Sequence, residues 1–131
     1  LEAGLADLVR VLRPGGYLLL IDTLGHDDVL CQTHMQTVEL LRDASHVCNR
    51  PVPEWRALLQ ATGADILPEQ AWPLPPEFAS WIARMQTPPD RAQAQRAVLQ
   101  QAAAEVTEAL QTEADGSFTR QTGLWLARKP V

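Results

Sequence analysis

Apolar residues follow two different periods along this chain, and the first switch between them falls between Leu12 and Tyr17. Leu1, Leu5, Leu8, Val9 and Leu12 recur at three- and four-residue steps and so line one face of a helix. Arg10 and Arg13 lie in its last turn, where positive charge suits the helix dipole. Pro14-Gly15-Gly16 ends it, because Pro cannot continue the hydrogen-bond ladder and Gly accepts the positive φ of a helix C-terminal turn. Tyr17 to Ile21 then run without a polar residue, the pattern of a strand buried on both faces. A helix, a tight stop and a doubly buried strand predict an α/β fold rather than an antiparallel one. This strand ends at Asp22-Thr23-Leu24-Gly25. Ligands of open α/β sheets bind beyond the carboxyl ends of strands, so residues 22–26 are the first candidate site.

Further along, Cys31, Met35, Val38 and Leu41 predict a second helix over about 28–41, capped by Asp27 or Thr23. Residues 42–47 are polar and read as a loop. Pro51 to Glu54 open a third helix whose face is Trp55, Leu58, Leu59 and Thr62, and Gly63 ends it. Ala64 to Ala71 predict a strand, which Pro68 restricts to an edge. Trp72 to Pro76 read as a Pro-rich connection. A short helix over 77–85 presents Phe78, Trp81, Ile82 and Met85. One long helix over about 89–111 carries Val98, Leu99, Ala102, Val106 and Leu110. After the turn at Asp115-Gly116-Ser117, residues 118–128 predict a last strand, with Leu124 and Leu126 on one side and Trp125 on the other.

Composition narrows the functional classes. At 131 residues and 46% hydrophobic, the chain is one domain with a real core. The net charge is −5 and the arginines are scattered among acids, without the basic stripe of a nucleic-acid binder. No apolar run approaches the roughly 18–20 residues of a membrane span, and no signal-peptide pattern opens the chain. Cys31 and Cys48 are not in a metal or redox spacing and read as free thiols, which makes the cytoplasm the expected location. The chain starts at Leu1 inside a helical pattern, which suggests a piece of a longer protein.

Four features coincide: a helix ending in Arg10-Val11-Leu12-Arg13-Pro14-Gly15-Gly16, a following strand ending in Asp22, a helix ending at Gly63 before another strand, and a final strand closing in Leu124-Trp125-Leu126-Ala127-Arg128-Lys129-Pro130. Together they resemble the C-terminal part of a class I S-adenosylmethionine (SAM) dependent methyltransferase, over nearly the whole chain. Arg42-Asp43-Ala44-Ser45-His46-Val47, with Glu54-Trp55 after it, resembles a bacterial subgroup carrying an Arg-Asp-Pro-Ser-His-Val segment. Ala44 stands where that subgroup has Pro. The resemblance implies an α/β fold in which residues 1–131 supply strands five, six and seven of a Rossmann-like sheet of order 3-2-1-4-5-7-6, with flanking helices. It also implies SAM as the methyl donor, bound by an N-terminal half that is not here. No G-x-G occurs in these residues. Strand five would then present an open edge, so a homodimer or a domain-swapped assembly is expected.

Methyl transfer needs alignment of nucleophile and methyl group, and sometimes a base. His46 is the candidate catalytic residue, since His is the side chain poised to accept a proton near neutral pH. Arg42, Asp43 and Ser45 beside it, Asp22 at the strand end, and Trp81 and Arg84 as part of a lid are the candidate acceptor-binding residues. Each also has a plain structural reading: turn and cap residues for Asp22, Asp43 and Ser45, a loop hydrogen bond for His46, and helix packing for Trp81. No metal site is expected, because His26 and His34 do not share the i, i+4 spacing of a zinc helix. The functional expectation is the acceptor-side half of a methyltransferase acting on a small molecule, with no nucleic-acid or membrane partner. The alternatives are a non-catalytic dimerisation or interaction module derived from such an enzyme, and a fragment of an NAD-dependent Rossmann enzyme. The helix-Arg-Pro-Gly-Gly-strand run disfavours the last.

Overall fold

The last strand is the middle of the sheet. The computed structural model describes all 131 residues. In chain order its elements are α1 (Glu2–Val11), β1 (Tyr17–Thr23), α2 (Val29–Arg42), α3 (Val52–Ala61), β2 (Asp65–Ile66), β3 (Gln70–Leu74), α4 (Phe78–Arg84), α5 (Pro89–Gln100), α6 (Ala104–Leu110) and β4 (Arg120–Arg128). The strand order is β1-β4-β2, with β3 also pairing to β4. β1 runs antiparallel to β4 from Tyr17 opposite Arg128 to Thr23 opposite Thr122. β2 pairs antiparallel on the other side, Asp65 opposite Arg128 and Ile66 opposite Ala127. The final strand thus lies between the other two and runs against both, as the expected 5-7-6 order requires. The one parallel contact outside the strands is an isolated bridge between Leu24 and Arg50.

The fold divides into two compact units. One comprises Leu1–Leu24, Arg50–Trp72 and Thr122–Val131, the other Gly25–Asn49 and Pro73–Gln121.

In the first unit, Leu5, Leu24, Trp55, Leu59 and Trp125 form a buried cluster, with the Trp55 and Trp125 ring centroids 5.4 Å apart. Val9, Ala64 and Ala127 form a second, against which Leu18 packs. The stop between α1 and β1 is tied to the chain's basic end. Gly15, at φ 71°, donates its N–H to the Lys129 carbonyl (3.0 Å), and Lys129 N–H returns to Gly16 O (2.8 Å). Lys129 Nζ donates to the last α1 carbonyls, Arg10 O at 2.7 Å and Leu12 O at 2.9 Å. A cation on free carbonyls at a helix C-terminus satisfies their hydrogen bonding and suits the dipole. The most family-like segments of the sequence therefore hold each other in place.

β1 departs from expectation. Leu18 and Leu20 are partly buried, but Tyr17, Leu19 and Ile21 are 55%, 58% and 55% exposed. Side chains alternate across a strand, and within this unit only one face of β1 is covered. The strand is half-buried, not doubly buried.

Three other expectations change. Pro68 does not restrict one strand to an edge but splits it into β2 and β3, and β3 takes in Trp72 and Leu74, expected to be a connection. The long helix over 89–111 is two helices, broken at Gln101–Ala103. No strong breaker stands there: tertiary packing wins, since Leu99 of α5 and Val106 and Leu110 of α6 all enter the second unit's cluster. That cluster also holds Cys31, Met35, Val38, Phe78, Trp81 and Phe118, with Trp81 edge-on to Phe118 at 4.9 Å. Finally, the N-cap of α2 is Asp28, not Asp27 or Thr23, its carboxylate accepting from Cys31 N at 2.9 Å.

Candidate functional site

The polar side of α2 organises most of the predicted residues. Gln32 and Gln36 stand one turn apart on a helix whose other face is core. Gln32 Nε2 donates to Asn49 O at 2.8 Å, and its Oε1 accepts from His26 N at 2.7 Å. Gln36 meets Asn49 at two points: Nε2 donates to Asn49 O (3.1 Å) and Oε1 accepts from Asn49 N (3.3 Å). A backbone N–H can only donate and a carbonyl can only accept, so this pairing fixes which way round the Gln36 amide lies.

His46 builds on that fixed amide. Its Nε2 lies 2.6 Å from Gln36 Oε1. The amide oxygen has no proton to give, so the His46 proton sits on Nε2 and the ring's lone pair is on Nδ1. The loop before it is a tight turn: Asp43 Oδ1 accepts from Ser45 N at 2.8 Å and from Ser45 Oγ at 2.7 Å, and His46 N donates to Asp43 O at 3.0 Å. The Ser45 hydroxyl and N–H hold the Asp43 carboxyl below its usual range. The turn forms with Ala44 in place of the subgroup's Pro.

Arg42 turns the other way. Its Nε donates to Trp81 O at 3.2 Å, its Nη1 to Glu39 Oε2 at 3.2 Å, and its guanidinium lies over the Trp81 ring, 4.5 Å from the centroid. Arg120 Nη1 takes the second Glu39 oxygen at 3.4 Å. Trp81 is fully buried. Of its two expected roles, lid and helix packing, burial leaves packing: Trp81 belongs to the core cluster, and its ring offers no surface to an acceptor. Arg84, one turn beyond on α4, is exposed and makes no ion pair. Asp22 belongs to the other unit, is exposed, and accepts from Thr23 N at 2.8 Å.

Sequence reading missed Gln36, Asn49, Glu39 and Arg120. The available signal was the Gln32–Gln36 pair on an amphipathic helix. Glu39 and Arg120 gave none, because 81 positions separate them.

His26, Asp28 and Cys31 bring ligand-type atoms within 4.8 Å of one another. The His26 Nδ1 lone pair accepts from Asp28 N at 3.0 Å, and the Asp28 carboxylate caps α2. Burial pushes the Cys31 thiol up, away from the thiolate a metal needs. The group is a helix start.

The residues present do not fit a SAM-binding loop. Such a loop joins a strand to a helix N-terminus through glycines. Gly4 lies inside α1, Gly15, Gly16 and Gly63 join a helix to a strand, Gly116 makes a turn and Gly123 packs inside β4; the one glycine between a strand and a following helix, Gly25 between β1 and α2, stands alone.

No family model matches the chain. The uncharacterized Escherichia coli protein YafE is 38% identical over 117 residues, which is 89% of this chain and 56% of YafE. The uncharacterized Bacillus subtilis methyltransferase YcgJ is 35% identical over 85 residues, 65% of this chain and 34% of YcgJ. The YcgJ crystal structure superposes on 99% of this chain and 58% of its own, with a TM-score of 0.87 and 28% identity. The Bacillus halodurans structure BH2331, provisionally designated a methyltransferase, gives a TM-score of 0.90 over 99% of this chain and 63% of its own, at 24% identity, a likeness of fold. Of these, YcgJ carries the methyltransferase designation and BH2331 shares the fold, and the chain spans about half the length of YafE.

Proposed function

We propose that this chain is the C-terminal, acceptor-side part of a SAM-dependent methyltransferase domain acting on a small molecule. The observation that carries the reading is the His46–Gln36–Asn49 arrangement, which leaves a ring nitrogen with no partner in the chain near the end of the segment resembling the subgroup's motif. The methyl donor supplies an electrophilic methyl group, and its site belongs to the part of the domain outside these residues. What this chain does is hold a base. Gln36 keeps the proton on His46 Nε2, so Nδ1 is the atom that takes a proton from the acceptor's nucleophilic heteroatom, giving an imidazolium stabilised by the same Gln36 oxygen. Ser45 and Asp43 set the loop from which His46 projects. A cytoplasmic location fits the two free thiols. No helix is long and apolar enough to cross a membrane.

The test is turnover of the longer protein that carries these residues, with and without His46→Ala. General-base catalysis contributes about 10²–10⁴-fold, and a loss in kcat of that order is expected. Unchanged kcat removes His46 from the chemistry.

A second reading has its own observation. Tyr17, Leu19 and Ile21 form an exposed apolar row on β1, whose other edge has no strand. Such an edge favours pairing with another chain. A non-catalytic dimerisation module derived from a methyltransferase would need nothing more.

A further inference from the structure

The turn that carries His46 hangs from the last turn of α2, and that last turn is held from two distant parts of the second unit. Asp43 N donates to Glu39 O at 2.9 Å, closing the helix, and His46 N donates to Asp43 O at 3.0 Å. Between Glu39 and Asp43 stands Arg42. Its carbonyl accepts from Thr87 Oγ1 at 3.1 Å, filling one of the acceptors that a helix C-terminus leaves open. Its guanidinium donates to Trp81 O and to Glu39 Oε2, both at 3.2 Å, and lies over the Trp81 ring. The other Glu39 oxygen meets Arg120 Nη1, whose guanidinium lies 5.9 Å from the same ring centroid. Glu39 is buried, its side chain 5% exposed. Desolvation cancels much of the attraction in a buried ion pair, so net stability is a poor account of this clamp. Its geometric effect is specific: the end of α2 is tied to α4, to Thr87 beyond it and to the first residue of β4.

We propose that Arg42 is a positioning residue for His46. Through Glu39, Trp81 and Thr87 it sets where the turn from Asp43 to His46 begins, and so where the unpartnered Nδ1 of His46 stands. This role takes the place of the acceptor contact that its residue type suggests, since Nε and Nη1 are both engaged inside the chain. His46 is then fixed from two sides, by Gln36 at ring Nε2 and by the clamp through the backbone. A reacting group displaced by about 1 Å can lose about 10²-fold in rate, which is why a base on a loop needs such a hold. What His46 does from that position rests on the methyltransferase reading; the placement by Arg42 does not.

The experiment reads the His46 ring by nitrogen-15 NMR in the 131-residue chain, native and as Arg42→Gln, Thr87→Val and Val106→Ala. Thr87→Val keeps the shape of the side chain and removes only the hydroxyl that donates to Arg42 O, so it decides the matter if Arg42→Gln does not fold. Val106→Ala opens the core of the same unit from α6 and leaves the clamp intact. Arg42→Gln and Thr87→Val are expected to turn the single Nε2–H tautomer of neutral His46 into a mixture, and Val106→Ala to keep it single. A single Nε2–H tautomer in every folded variant overturns the proposal. A mixture in Val106→Ala as well also overturns it, because the ring would then report only a loosened unit. The readout contains no methyl donor. In the longer protein, Thr87→Val is expected to lower kcat by up to about 10²-fold with KM unchanged. A mixed tautomer with native kcat would leave Arg42 in its positioning role and remove His46 from the chemistry.

Discussion

His46 Nε2 lies 2.6 Å from Gln36 Oε1, and the Gln36 amide is held at both ends by the backbone of Asn49. One helix residue thereby decides which ring nitrogen of a loop histidine is basic. Replacing Gln36 with Leu removes that decision. Nitrogen-15 spectra of the native chain are expected to show the neutral form of the His46 ring as the single Nε2–H tautomer, and Gln36→Leu a mixture of tautomers. Asn49 N–H is then left without its acceptor, so stability falls by about 1–3 kcal/mol, readable as a lower urea midpoint with the same slope. A native-like single tautomer in the variant would show that something other than Gln36 sets it.

His34, on α2, titrates below its ordinary value of 6.5 because burial disfavours its charged form. Its Nε2 is buried without a partner. The unfolded chain therefore takes up this proton at a higher pH than the folded one. His34 costs no stability above about pH 6.5, and stability is lost as pH falls through that value towards the lower folded-state one. Thermal melts between pH 7.5 and 5.5 are expected to shift downward, and His34→Gln to flatten the shift. A melt independent of pH in the native chain contradicts this.

Gly123 is fixed by an aromatic ring. A Cβ there would lie 2.4 Å from Trp125 Cη2, 2.8 Å from Trp125 Cζ3 and 2.9 Å from Leu24 Cδ2. Trp125 is buried, its ring tilted against that of Trp55, so it has no open space to move into. Gly123→Ala is expected to cost about 1–3 kcal/mol, as overpacking does. Equal denaturation midpoints would mean that the ring has room.

The bare row of Tyr17, Leu19 and Ile21 predicts self-association of the isolated chain through β1. Light scattering is expected to give a mass above that of the monomer, and lysine at Leu19 to lower it. A well-folded monomer at low concentration rules out the dimer or domain-swapped form.

Much of the fold was legible because it rests on local signals. The α1 stop at Pro14-Gly15-Gly16, the Gly63 terminus and the alternation around Trp125 all say what they do within a few residues. The antiparallel central place of β4 followed from the resemblance rather than from any pattern of its own. The errors arose where a distant partner decides. An unbroken apolar run says that both faces of a strand suit burial, not that this chain covers both. The break at Gln101–Ala103 has no punctuating residue, only a core to be met on either side of it. In the candidate site, the loop of Asp43, Ser45 and His46 was legible from residue type, since Asp and Ser favour turns. The clamp of Glu39, Arg42 and Arg120 was not, because its members meet only in the folded unit. Trp81 offered both a lid and a helix-packing reading, because its helix is short and amphipathic, and its complete burial selects packing.

The central claim is that these residues supply the acceptor side, and not the donor site, of a SAM-dependent methyltransferase. Calorimetric titration with SAM tests it most directly, carried out on the 131-residue chain and on the longer protein that contains it. The account predicts no saturable heat from the chain alone and one-to-one binding by the longer protein. Tight binding by the chain alone, or no binding by the longer protein, contradicts it.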